Sequence, residues 1–243
     1  MDLLEARLRD LRAPMVLDVA TGGGGFSAHL RSEYGGLGTI VAVDVSEDGL
    51  GRARSNLKRI ADLLPVCMDS ACMAFQEGCF SLVCISNSLH HLDGLEETLE
   101  EMIRVLRPGG RFLVREMYRD GQTETQMTHV MMHEWWAAID RRNGISHNRT
   151  FRRQEILNIV GNLDLEDVIT GDYSSLESDP LEQELVRQLD SAIDSYLHKL
   201  EKTGGDPELR RRGDELRKRL TTRGFHSASS LSVMGRKPVP PKP

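Results

Sequence analysis

The sequence predicts an α/β fold built on a parallel sheet with helices on both faces. Short apolar runs at 15–20, 39–44, 64–68, 80–86 and 111–115 alternate with helical patterns at about 26–33, 46–60 and 95–106. The runs are apolar almost throughout, as strands covered on both faces require. The first of them passes straight into four glycines and then a helix, the arrangement of a ligand-binding turn at the end of a strand.

The elements follow in order from these signals. Leu106-Arg-Pro-Gly-Gly closes the helix at 95–106, because Pro108 cannot continue it and Gly109 or Gly110 can take the left-handed cap. After Glu116 the rhythm changes, with helical patterns at about 123–142 and 152–161 and a strand at 163–170. A long helix follows with Leu181, Leu185, Leu189, Ile193, Tyr196 and Leu200 along one stripe. The break at 203–207 and a second helix to about 222 make a helical hairpin. A last strand is expected at 229–235, and the Pro-rich residues 236–243 read as a disordered tail. The whole, 1–243, reads as one domain with helical insertions at about 120–145 and 176–222.

Bulk composition excludes several classes. The 243 residues carry 31 Lys and Arg against 37 Asp and Glu, a formal net charge of -6. No general basic field exists to attract nucleic acid, and the arginines at 210–219 read as the solvated face of a helix whose other side carries Leu209, Leu216 and Leu220. No apolar run approaches the ~20 residues of a membrane span. The first residues read as an amphipathic helix rather than a signal peptide, so a cytoplasmic protein is expected. Cys67, Cys72, Cys79 and Cys84 fall within eighteen residues but none is spaced C-x-x-C, and they read as buried structural thiols.

The richest stretch is Val16-Leu-Asp-Val-Ala-Thr-Gly-Gly-Gly-Gly-Phe-Ser27. Its glycines let the backbone approach a ligand closely. A dinucleotide turn would need its third glycine where Ser27 stands, and the carboxylate of Asp18 would repel a pyrophosphate but attract an ammonium. Asp44 ends the second strand, where a carboxylate can accept both hydroxyls of a ribose. Asp69, after the third strand, either hydrogen-bonds an adenine amino group or caps a turn.

These motifs, with Phe80-Ser-Leu-Val-Cys-Ile-Ser-Asn-Ser-Leu-His-His-Leu-Asp93 and Leu106-Arg-Pro-Gly-Gly-Arg-Phe-Leu-Val114, resemble class I S-adenosylmethionine-dependent methyltransferases over about residues 12–116. The similarity is greatest to the ubiquinone/menaquinone-biosynthesis type. The resemblance implies a Rossmann-like, doubly wound sheet of seven strands, mostly parallel with an antiparallel last strand. It also implies S-adenosylmethionine as cofactor. The methionine moiety would lie by Asp18, Ala20, Gly22 and Gly24, the ribose by Asp44 and Val45, the adenine by Asp69 and Ser70, and the sulfonium by Ser86 and Asn87. Methyl transfer to a small-molecule acceptor follows. A nicotinamide-dependent oxidoreductase and a non-catalytic cofactor-binding relative are the alternatives.

The remaining candidates belong to this sequence alone. His90 and His91 stand past the fourth strand, at the edge where α/β folds bind ligands; one of them lines the site or acts as a base, or else caps or packs under the loop. If 127–141 is helical, His129, His133, Trp136 and Asp140 share a face, with His147 just beyond Gly144. His91, His129 and His133 are therefore the candidate bases, and Glu116, Trp136, Asp140 and His147 the candidate acceptor contacts. His129, His133 and His147 also have the makings of a divalent-metal site, although no residue is assigned to a metal. The insertions would shape the acceptor pocket or pair two copies as a homodimer.

Overall fold

The computed structural model describes residues 3–58 and 62–241. The expected end of the third helix, at 59–60, and the last two positions of the tail lie outside the described residues. Strands β1 (Ala13–Val19), β2 (Leu37–Asp44), β3 (Leu63–Cys67), β4 (Phe80–Ser86), β5 (Leu106–Met117), β6 (Glu166–Tyr173) and β7 (Ser230–Arg236) form one sheet in the order β3-β2-β1-β4-β5-β7-β6. The first five run parallel, and β7 is antiparallel to both of its neighbours. This is the expected sheet.

Alternation along each strand sends side chains to two cores. Leu17, Val41, Val83, Phe112 and Val233 meet α4 (Leu95–Val105) and α6 (Arg153–Gly161) through Met102 and Ile156. Val16, Ile40, Leu82, Leu113 and Met234 meet α1 (Leu3–Asp10) and α2 (Gly25–Glu33) through Leu4, Leu8 and Leu30. With α3 (Glu47–Asn56) the sheet is wound both ways from β1. The order reverses between β1 and β4, so the crevice at their carboxyl ends is where a ligand enters such a sheet.

A third core holds the insertions together. Helix α5 (Glu124–Arg142) starts on a capping box between Thr123 and Gln126. It buries Met132, Trp135 and Ile139 against α7 (Gln183–Lys202) and α8 (Pro207–Arg223), which supply Ile193, Leu197, Leu200, Leu209, Leu216 and Leu220. The Trp135 indole N–H donates to the Leu209 carbonyl at 2.7 Å. The chain thus covers the second half of the hairpin's apolar stripe, at Ile193 and Leu200, while Leu185, Leu189 and Tyr196 are half-buried. The arginines of α8 lie on its outer side, paired with Glu201, Glu208, Glu215, Asp190, Asp194 and Glu124.

Several expectations need correction. The hairpin begins at Gln183, not near 176, and Leu181 is exposed before it. Strand β6 lies three residues later than expected, because pairing with β7 fixes its register while its own side chains are mostly exposed. Of the four cysteines only Cys84 is buried; Cys67, Cys72 and Cys79 are exposed, since β3 is an edge strand and the 68–79 connection crosses the surface. The tail does not leave the fold at 236: Arg236 closes β7, and the Lys237 ammonium donates to the carbonyls of Ile103 and Leu106.

Candidate functional site

The glycine turn after β1 is shaped from beneath by Asp18. Its Oδ2 accepts from the hydroxyls of Thr21 at 2.7 Å and Ser27 at 2.5 Å, and the residue is 1% exposed. Burial pushes its carboxyl up to about 6 against those two hydrogen bonds. A direct contact with a ligand ammonium, expected from the sequence, is therefore corrected: Asp18 is sealed below the turn and acts by holding it. Ser27, which displaces the dinucleotide glycine, is the residue that engages it. The sequence alone does not single out Thr21 and Ser27 as partners of Asp18, although both sit within the motif.

Above Asp18 the backbone turns left-handed at Ala20 (φ 52°), Gly22 (φ 53°) and Gly24 (φ 78°). A Cβ at Gly24 would collide with Leu57, so this glycine lets the turn pack on α3. A Cβ at Gly22 would meet nothing within 4 Å. That side of the turn is open to a ligand's approach. Asp44 reaches over from β2: its Oδ2 accepts the Gly22 N–H at 2.7 Å and its Oδ1 the Ser46 N–H at 2.8 Å. Each oxygen retains a lone pair for a further donor. Val45 beside it is exposed.

Further along the same edge, Asp69 is exposed and its Oδ1 accepts the Ala71 N–H at 2.9 Å, a turn cap. Ser70 is half-buried with its hydroxyl 3.1 Å from that of Thr98. At the end of β4, Ser86 is half-buried, and Asn87 takes the left-handed region (φ 48°) while its amide oxygen accepts the Met117 N–H at 2.9 Å. Two non-glycine residues in this region, Ala20 and Asn87, face each other across the sheet's switch point, the kind of strain found at ligand clamps. The Ser88 hydroxyl ties them, with the carbonyls of Ala20 at 3.1 Å and Ser86 at 2.9 Å. The ten positions expected to serve a cofactor thus lie at the carboxyl ends of β1 to β4.

The histidines gather beyond β4. His90 and His91 end the 3-10 turn Leu89–His91, His133 comes from α5, and His147 from the loop after it. The Asn148 N–H donates to the His90 carbonyl at 2.7 Å and fastens that loop to the turn. His147 Nδ1 lies 2.7 Å from Asp140 Oδ2, and its Nε2 lies 3.2 Å from His133 Nδ1. The ring of His91 lies 4.1 Å from that of His147 and 6.0 Å from that of His133. Burial lowers His91 to about 3 and His133 further, helped by the neighbouring histidines, so both are neutral at pH 7.

Three of the roles expected from the sequence change here. His129 stands beside His133, with ring centroids 6.1 Å apart. Its Nδ1, however, is taken by the Ala228 N–H at 2.9 Å and its ring packs on Phe225, so that nitrogen braces α5 against the loop before β7 and is not free as a base or metal ligand. Glu116 is fully buried, accepting from the Ser88 and Leu89 N–H groups at 3.0 and 3.1 Å and facing His90 Nδ1. Asp140, 5% exposed, is taken up by His147, Lys199 and the Tyr196 hydroxyl. Neither carboxyl reaches an acceptor; each orients a histidine. Trp136 is half-buried and lies against Tyr196, with ring centroids 5.6 Å apart. His90 is the member that sequence reasoning misses in favour of His91, and the His-His pair after the fourth strand is its only signal.

Comparison with known proteins covers the strands that form this edge. Residues 16–110 match the family described as Methyltransferase domain. This stretch, from β1 to the start of β5, is similar to a methyltransferase domain. Over 108 residues it is 33% identical to the ubiquinone/menaquinone biosynthesis C-methyltransferase UbiE of Escherichia fergusonii, a match covering 43% of each chain. The chain thus spans less than half the length of the curated relatives it matches. Among solved structures it resembles phosphoethanolamine N-methyltransferase 2 of Haemonchus contortus in complex with S-adenosyl-L-methionine (TM-score 0.59, 15% identity, 98% of this chain and 52% of that one). It also resembles the cyclase SpnF (TM-score 0.62, 17% identity, 97% and 79%). At these identities the likeness is one of fold.

Proposed function

We propose that this chain is a single-domain S-adenosylmethionine-dependent methyltransferase acting on a small-molecule acceptor. The observation that carries the reading is the glycine turn of β1, open over Gly22 and bound to the carboxylate of Asp44. An amino-acid moiety fits against the open turn, and a ribose diol can donate to the oxygens of Asp44. A dinucleotide turn needs a glycine where Ser27 stands, and Ser27 is instead used to hold Asp18 beneath the turn.

S-adenosylmethionine bound there supplies an electrophilic methyl group on a positively charged sulfur. Asp44 holds the diol, while Asp69 and Ser70 flank the base. The turn at Ser86 and Asn87, fixed by Met117 and Ser88, defines where the acceptor must stand for a collinear approach. His91 and His133 line this side of the edge and, neutral at pH 7, offer lone pairs rather than charge to whatever stands there. The net charge of -6 argues for a small acceptor rather than a nucleic acid. Among the described residues no helix is long and apolar enough to cross a membrane. The four cysteines are free, which suits a cytoplasmic setting.

Titration calorimetry with S-adenosylhomocysteine and, separately, NAD tests the reading. Micromolar binding of the former and none of the latter is expected, followed by transfer of labelled methyl to a member of a panel of phenols, amines and thiols. Binding of NAD alone would overturn it.

A further inference from the structure

His90, His91, His133 and His147 each bring one ring nitrogen to within 4.8 Å of the others. The ring centroids of His90 and His133 are 4.8 Å apart, and those of His133 and His147 4.7 Å. An independent observation comes from His90, which is wholly buried. Its Nδ1 faces Glu116 at 2.5 Å, but its Nε2 is buried with no hydrogen-bond partner among the described residues. An imidazole nitrogen stripped of water and left unpaired is costly unless something else takes its lone pair.

The outer contacts aim these rings inward. Glu116 holds Nδ1 of His90, Asp140 holds Nδ1 of His147, and the Ser146 backbone bonds His91. A carboxylate behind a histidine fixes the tautomer and presents the opposite nitrogen as a lone-pair donor, the usual support behind metal-ligating histidines. We propose that these four histidines bind one divalent first-row transition-metal ion, with Glu116 and Asp140 as the outer carboxylates.

The spacing suits such an ion. Metal–nitrogen bonds of about 2.0–2.1 Å in a tetrahedron put neighbouring nitrogens about 3.3–3.4 Å apart. His147 Nε2 and His133 Nδ1 are already 3.2 Å apart. A hydrogen bond between these two rings would satisfy that pair and still leave His90 Nε2 without a partner. Four imidazoles and no carboxylate among the ligands favour zinc, iron, nickel, cobalt or copper over magnesium or calcium. His91 is the one exposed member, so an exchangeable ligand would reach the ion from its side. The set shares no residue with the cofactor positions, and the inference holds whether or not the chain transfers methyl groups.

The test uses tag-free protein stripped with a chelator and titrated with cobalt(II) alone, read by visible absorption, then back-titrated with zinc. Ligand-field bands saturating at one equivalent and lost on zinc addition are expected. His90→Gln and His147→Gln should weaken cobalt binding at least about 100-fold, and Glu116→Gln about 10- to 100-fold. Circular dichroism and S-adenosylhomocysteine binding check that each variant is folded. Where a variant does not fold, X-ray absorption of the wild-type cobalt protein decides: an imidazole shell supports the site, and a sulfur shell overturns it. Wild type that binds neither cobalt nor zinc, or folded variants that bind as wild type does, would also overturn it. Cobalt uptake without S-adenosylhomocysteine binding supports this inference and sinks the function proposed above; the reverse result does the opposite.

Discussion

Glu116 and His90 meet at 2.5 Å with neither side chain exposed, joining the end of β5 to the turn that follows β4. The same carboxyl caps that turn through the Ser88 and Leu89 N–H groups, so one buried acid sets both a backbone conformation and an imidazole orientation. Removing it strands three donors where water cannot reach. Glu116→Ala is expected to cost about 3 kcal/mol, the scale of leaving buried polar groups unpaired. In a chain of this size that is a fall in Tm of roughly 6–12 °C by calorimetry. Glu116→Gln, whose amide oxygen can still accept from the backbone, should lose less than half as much. Equal losses would show that the N–H groups do not depend on this side chain.

Asp44→Ala is expected to weaken S-adenosylhomocysteine binding by about 1.5–3 kcal/mol, because charged hydrogen bonds to a diol disappear. The Gly22 N–H loses its acceptor as well, so the turn should loosen in the free protein. Calorimetry measures the first effect and amide hydrogen exchange at Gly22 the second. Unchanged affinity would remove Asp44 from the site.

Asp18 carries a pH signature. Its carboxyl is raised from 3.8 to about 6 in the folded protein, chiefly by burial. The folded state therefore holds this proton more tightly than the unfolded chain does. The stabilisation is complete below pH 3.8, shrinks as pH rises, and is lost above about 6. Asp18→Asn has no such proton. Wild type measured against this variant by urea unfolding should gain about 1 kcal/mol between pH 7 and pH 5. A difference that stays flat, or grows toward pH 7, would contradict the burial argument.

The sheet and the cofactor edge were legible because their signals are local. Asp18, the glycines and Asp44 state their backbone geometry within a few residues of themselves, and the apolar runs announce strands buried on both faces. The histidine site was only half legible. His90 and Glu116 are 26 residues apart and meet because β4 and β5 pair with Ser86 opposite Arg115, a register no periodicity reveals. His147 joins them through a backbone hydrogen bond from Asn148 to His90, invisible in side-chain patterns. Helical spacing put His129 with His133, and their rings do stand 6.1 Å apart, but it could not show that Nδ1 of His129 is taken by the Ala228 N–H of the loop before β7. The same spacing could not say that Trp135, not Trp136, anchors the hairpin.

His129→Ala should separate the bracing contact from the histidine cluster. Its ring accepts the Ala228 N–H and packs on Phe225, so its loss should cost about 1–2 kcal/mol of stability. Cofactor affinity should not change, while His133 should lose only the edge contact with the His129 ring. Chemical unfolding and S-adenosylhomocysteine calorimetry check both halves; a variant that keeps full stability would show that His129 is not a brace.

The hairpin makes the last prediction, at Gly213 on α8. A Cβ built there would stand 2.8 Å from Cζ2 of Trp135 and 3.1 Å from Cδ2 of Leu197. The indole cannot step aside, because its N–H is held by the Leu209 carbonyl one turn earlier on the same helix. Alanine at this position gains about 0.5–1 kcal/mol of helix propensity over glycine, which offsets part of an overpacking cost of about 1–3 kcal/mol. Gly213→Ala should therefore sit near neutral or up to about 2.5 kcal/mol below wild type. Gly213→Val keeps little of the propensity gain and adds two methyl groups to the same gap, so it should lose clearly more. Helix α5 carries His133 and Asp140 on the turns beside Trp135, so the strain should disturb the histidine cluster. The turn at Gly22 belongs to another core, and S-adenosylhomocysteine affinity should stay within about twofold. Thermal unfolding of the two variants together with that titration checks the ranking. A valine variant as stable as wild type would mean that α8 does not rest on Trp135.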